Sequence, residues 1–147
     1  GLPLFQSRGL PADPLPEPVA DLSILQESRR LLKAGGWLLL DVSDGAAACS
    51  KVAPQAWHEI GDDIVVCRHR EIEDGCIRAR EMVLSKTKGI VRDRTYSIRL
   101  YSTGALAALT ARAGFDDIRI HTDTSALAPG VDVGCMNHRL VVAARKP

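Results

Sequence analysis

Helix-spaced positions at Leu22, Leu25, Arg29 and Leu32 run directly into Gly35-Gly36, which runs directly into Trp37-Leu38-Leu39-Leu40-Asp41-Val42. This junction constrains the fold more than any other segment. Gly35 supplies a left-handed helix cap at no steric cost, so a helix ends and an apolar strand begins with almost no linker. Pro18 suits the first turn of that helix, and Arg29, Arg30 and Lys33 favour the negative end of its macrodipole. An unbroken apolar run entered from a helix predicts a strand buried on both faces, as in a parallel sheet. The expected class is α/β.

The flanking segments differ in style. Pro3, Pro11, Pro14, Pro16 and Pro18 crowd the start of the chain, so residues 1–17 are expected to be a proline-rich arm and not a helix. Residues Gly45 to Gln55 carry no clear pattern. Asp74-Gly75 and Lys88-Gly89 then divide an alternating run into three expected antiparallel strands, about Asp63–Ile72, Cys76–Ser85 and Val91–Leu100. Within the second of these, Met82 and Leu84 alternate with Glu81 and Val83, so one face of the meander is expected to be wet. The final third returns to α/β character. Ser102 can cap a helix with apolar positions at Leu106, Leu109 and Ala113, Gly114 stops it, and Phe115 should pack back. A strand at Ile118–His121, a loop at Thr122–Asn137 and a last strand at Arg139–Ala144 complete the chain. The expected layout is an arm at 1–17 and one domain at 18–147 with an antiparallel insertion at about 60–101.

Size and charge narrow the function classes. A chain of 147 residues matches one ordinary domain, which would bury roughly two-thirds of its unfolded surface. Nineteen basic against eighteen acidic residues leave a net charge of +1, so no nucleic acid or anionic membrane is expected as a partner. No apolar run approaches the roughly 18 residues of a membrane span. Cys49, Cys67, Cys76 and Cys135 form no C-x-x-C pair and follow no secretory leader, so free thiols and a cytoplasmic location are expected. His58, His69, His121 and His138 lack metal-ligand spacing, and no nucleophile turn is present, so neither a metal site nor a hydrolase is expected. A start at Gly1 is expected to reflect a scar or a cut.

Four stretches in order carry a resemblance: Leu32 through Asp41, Arg94-Thr95-Tyr96 through Leu100-Tyr101-Ser102, Ala113-Gly114-Phe115, and Leu140 through Pro147. Together, over about Asp21 to Pro147, they resemble the C-terminal half of class I S-adenosylmethionine-dependent methyltransferases. The resemblance implies a partial Rossmann-like sheet with an inserted three-stranded antiparallel meander. The Trp37–Val42 strand would be the fifth of seven, and the last two strands would be the closing antiparallel pair. It also implies a departure from the family. Such enzymes hold S-adenosylmethionine through a Gly-rich turn after the first strand and an acidic residue after the second, and no two glycines here are spaced G-x-G. Val131-Asp132-Val133-Gly134-Cys135 looks like the opening of that turn, but Met136 replaces the next glycine and only eleven residues follow. No cofactor is therefore expected on the isolated chain, and the donor-binding half is expected to be lost or on another chain.

Two residue groups are candidate substrate contacts. Asp41, Ser43 and Asp44 stand at the carboxyl end of the expected parallel strand, where open α/β sheets place ligands, and the family resemblance puts the substrate at this edge. The competing reading is that Asp44 begins a turn and Asp41 finds a hydrogen-bond partner at the sheet rim. Arg94, Tyr96, Arg99 and Tyr101 would lie near the active-site mouth of a full-length relative, where arginine and tyrosine can grip a polar or anionic substrate. They can equally form a solvated face paired to Glu71, Glu73 or Glu81. Catalytic residues are not identifiable.

Trp37 and Trp57 are expected to pack, Trp37 also serving as a possible subunit contact. A sheet cut before its fifth strand leaves an open edge, expected to be covered by a second copy, by Leu2–Gln6 of the arm, or by a separate half. The functional expectations are the substrate-side half of a small-molecule methyltransferase, or a non-catalytic dimeric scaffold or ligand-binding module derived from that fold.

Overall fold

The computed structural model describes residues 18–123 and 137–147. The expected arm, most of the loop after Thr122, and the Val131–Cys135 motif lie outside the described residues. Two compact units divide the chain: 52–99 form one, and 18–51, 100–123 and 137–147 form the other. No helix among the described residues is long and apolar enough to cross a membrane.

The discontinuous unit contains α1 (Pro18–Leu31), β1 (Trp37–Ser43), α2 (Gly45–Lys51), α3 (Thr103–Arg112), β6 (Asp116–Asp123) and β7 (Arg139–Arg145). Its sheet has the order β1-β7-β6, with both pairings antiparallel. Leu38, Leu40 and Val42 alternate onto one face of β1 and pack into a core of Leu25, Leu106, Phe115, Leu140 and Val142. The glycine junction forms as expected. Gly35 takes φ +74° and donates to Lys146 O, while Lys146 N donates to Gly36 O. Lys146 Nζ also donates to Leu32 O at 2.7 Å, placing a cation on the closing carbonyls of α1. Ser102 caps α3 by accepting from Ala105 N at 3.1 Å, and Gly114, at φ +94°, follows the helix end.

One expectation for β1 fails. Among the described residues the strand is not buried on both faces and does not pair in parallel with another strand; its ladder there is antiparallel, to β7. Trp37 and Leu39 point away from the core and are 44% and 75% exposed. An apolar run reads the same whether its second face is covered or not. Among the described residues β1 is therefore a sheet edge.

The continuous unit is an antiparallel sheet of four strands in the order β2-β3-β4-β5: β2 (Gln55–Ile60), β3 (Ile64–Glu73), β4 (Cys76–Ser85) and β5 (Gly89–Arg99). Three strands had been expected, with bounds close to the last three. Asp74 and Gly75 join β3 to β4 with φ +51° and +70°, the paired positive values of a type I′ turn. The additional strand β2 turns into β3 at Gly61, φ +59°, without an Asn-Gly or Asp-Gly signal. The patternless stretch from Gly45 is also structured, as helix α2. Ile77, Ala79, Met82, Val66 and Cys67 are buried, and burial pushes the Cys67 thiol pKa up.

Candidate functional site

At the carboxyl end of β1 the antiparallel register sets Ser43 opposite Arg139 and Asp41 opposite Val141. Arg139 reaches along the strand pair. Its Nε donates to Asp41 Oδ1 at 2.8 Å, its Nη1 to Ser43 Oγ at 3.0 Å, and its Nη2 to Asp41 O at 3.3 Å. Ser43 is buried, whereas Asp41 keeps 61% of its side chain exposed. Asp44 has a different task. Its Oδ1 accepts from Ala46 N at 2.9 Å and Ala47 N at 3.2 Å, which caps α2. Asp41 and Ser43 thus belong to one polar cluster built on Arg139, and Asp44 stands beside it as a helix cap.

His138 completes this end. It takes φ +60°, its carbonyl accepts from Asp44 N at 3.1 Å, and its buried Nδ1 has no hydrogen-bond partner among the described residues. Sequence reasoning missed Arg139 and His138. The Asn137-His138-Arg139 run before an apolar strand is the only signal, and it names no partner. Tyr101 is held at both ends: Gly45 N donates to Tyr101 O at 3.1 Å, and Tyr101 Oη donates to Asp21 Oδ2 of α1 at 2.5 Å. The phenol is engaged with a helix of its own unit.

The second candidate group separates by strand parity. In the β4–β5 register Arg94 lies opposite Glu81 and Tyr96 opposite Ala79, on one face, while Arg99 lies opposite Cys76, on the other. Arg94, Tyr96 and Arg99 therefore do not share a face, and Tyr101 belongs to the other unit. Of the acidic partners anticipated for these arginines, Glu81 bonds Arg68 and Arg92, Glu73 bonds Arg78, and Glu71 bonds His69. Arg68 Nη1 also contacts His58 Nδ1 at 3.2 Å. Arginine has no acceptor, so Nδ1 is the accepting side of this contact. Among the described residues no cluster of His, Cys, Asp or Glu is arranged to hold a metal.

Comparison with known proteins bears on this geometry. No family model matches the sequence, and no curated protein matches it. Solved structures do. A S-adenosylmethionine-dependent methyltransferase from Clostridium acetobutylicum ATCC 824 matches with a TM-score of 0.64 at 11% identity, over 85% of this chain and 50% of that one. The CcbJ methyltransferase from Streptomyces caelestis matches with a TM-score of 0.62 at 18% identity, over 86% of this chain and 52% of that one. CalS10 from Micromonospora echinaspora, an amino pentose methyltransferase solved with S-adenosylmethionine bound, gives 0.53 at 17%, over 90% and 53%. These likenesses establish the fold: mixed α/β, of the Rossmann-like methyltransferase type. The chain spans about half the length of the structures it matches.

The end of β1 does not fit the methyl donor that this fold implies. A donor loop needs a glycine whose missing Cβ lets the ligand approach the backbone. Gly45 follows β1, but a Cβ built there would lie 2.7 Å from Tyr101 O. The close approach is to the chain's own backbone. The neighbouring carboxylate of Asp44 already caps α2.

Proposed function

We propose that this chain forms the acceptor side of a S-adenosylmethionine-dependent small-molecule methyltransferase, with the donor held by a complementary half on the same polypeptide or on a partner. The observation that carries this reading is the match to solved methyltransferases over most of this chain and about half of theirs. Three features support it. The sequence holds no G-x-G. Gly45 is closed by Tyr101. The β1 edge, with Leu39 exposed beside it, offers backbone donors and acceptors to an incoming strand. Asp41 and Ser43, held by Arg139, are the proposed substrate contacts, in the cytoplasm.

Calorimetry with S-adenosylmethionine tests the reading. This chain alone is expected to give no binding heat. The chain joined to a complementary half, encoded in frame upstream of Gly1 or recovered as a co-purifying partner with G-x-G after a strand, is expected to bind the donor. Donor binding by this chain alone would overturn the division of labour. A joined assembly that binds no donor would overturn the methyltransferase reading in favour of a non-catalytic scaffold or ligand-binding module.

A further inference from the structure

The sheet at 52–99 carries its charge unequally on its two faces. On the face of Arg99, opposite charges are matched: Arg80 meets Asp93 at 2.6 Å, Arg78 meets Glu73 at 3.4 Å, and His69 meets Glu71 at 3.3 Å. On the other face the register aligns Arg68, Glu81 and Arg94 across β3, β4 and β5. Arg70 and Arg92 occupy the next rungs of that face on either side. The strand positions of this face therefore hold four arginines and one carboxylate.

That carboxylate is fully used. Glu81 Oε2 meets Arg68 Nε at 2.8 Å and Oε1 meets Arg92 Nη2 at 3.6 Å. Arg68 and Glu81 are both largely buried, with side chains 11% and 14% exposed. Arg94 is directly opposite Glu81 in the ladder yet exposed, and it forms no ion pair among the described residues. Arg92, still 54% exposed, lies two positions away on the same face, a spacing of about 7 Å along the strand. Two exposed arginines rooted that close on one face offer an anion two cationic partners at once. Their planar forks suit the paired oxygens of a phosphate or carboxylate.

We infer that Arg92 and Arg94 on β5, with Tyr96 next on the same face, form a recognition strip for the oxyanion group of a small-molecule ligand. Calling that ligand a methyl acceptor rests on the proposed function; binding of the anion does not.

The test is an amide-resolved NMR titration of the intact chain at low ionic strength, with inorganic phosphate in one arm and sodium acetate in the other. Saturable shifts are expected at residues 92–96, and the tighter-binding ion tells a phosphate ligand from a carboxylate one. Arg94→Gln is expected to weaken binding about fivefold, and Arg94→Lys, which keeps the charge but loses the fork, about twofold. Arg30→Gln, which removes a cation paired with Glu27 on α1, is expected to leave binding unchanged. No saturable shift with either ion, or equal affinity in Arg94→Gln, would overturn the inference. Methyl donor is absent from this titration, so its failure is separable from failure of the proposed function.

Discussion

Arg139 of β7 holds Asp41 and Ser43 of β1 with one guanidinium, at 2.8 Å and 3.0 Å, across 98 and 96 residues of sequence. The two β1 residues are thereby turned from independent candidate ligands into a fixed pair. Asp41 is largely exposed, so its ion pair is screened and contributes little by itself. The bond to Ser43 matters more, because the serine is buried and has to be satisfied.

Arg139→Gln is therefore expected to destabilise the fold by about 1 kcal/mol, through Ser43 more than through Asp41. Asp41→Asn should cost less, within about 0.5 kcal/mol. Urea denaturation of both variants measures the order, and an equal or reversed order would assign the anchoring to the ion pair.

Gly45 and Gly104 make opposite predictions although both lie in helices. Alanine has the better helix propensity by about 1 kcal/mol. At Gly45 the added Cβ would meet the Tyr101 carbonyl at 2.7 Å, and backbone cannot rotate away as a side-chain tip can. The clash outweighs the propensity, so Gly45→Ala is expected to destabilise by about 1–3 kcal/mol. At Gly104 nothing lies within 4 Å, and Gly104→Ala is expected to stabilise by up to about 1 kcal/mol. Thermal melts of the two variants should move in opposite directions.

Asp63 should contribute to acid sensitivity. Its carboxylate accepts from Ser85 Oγ at 2.8 Å and from Thr87 N and Oγ1 at 3.2 Å each. The Ser85 bond leads in holding its pKa below the ordinary carboxylate value, with the Thr87 bonds adding to it. A folded pKa below the unfolded value of about 3.9 means the stabilisation is present above that pH and is lost as pH falls through the folded pKa. Ser85→Ala is therefore expected to raise the Asp63 pKa in an NMR titration. The stability difference between wild type and Ser85→Ala should narrow on acidification below the unfolded pKa, and a constant difference would exclude the linkage.

Local signals in the sequence carried the fold furthest. Gly35-Gly36, Ser102, Asp74-Gly75 and Gly114 act within a few residues of themselves, and each forms the expected turn or cap. Helix α2 was missed because its cap, Asp44, was weighed as a ligand or a turn residue ahead of the alanines it serves. Strand β2 was missed because Gly61 turns the chain without a strong dipeptide signal. In the candidate site, parity alone could have separated Arg94 and Tyr96 from Arg99, since strand side chains alternate. The Arg139 partnership was not legible, because only the β1–β7 register brings those residues together.

The edge of β1 gives the last prediction. Leu39 is 75% exposed, so exchanging it for lysine removes little buried surface and should change the stability of one copy by no more than about 0.5 kcal/mol. The same exchange puts a charge beside an open strand edge, a common natural means of blocking strand pairing. If a second copy covers this edge, the wild-type chain sediments as a dimer at low micromolar concentration, and Leu39→Lys sediments as a folded monomer whose melting midpoint no longer depends on concentration. A wild-type chain that remains monomeric at that concentration would remove self-association and leave the Leu2–Gln6 segment or a complementary half as the partner for β1.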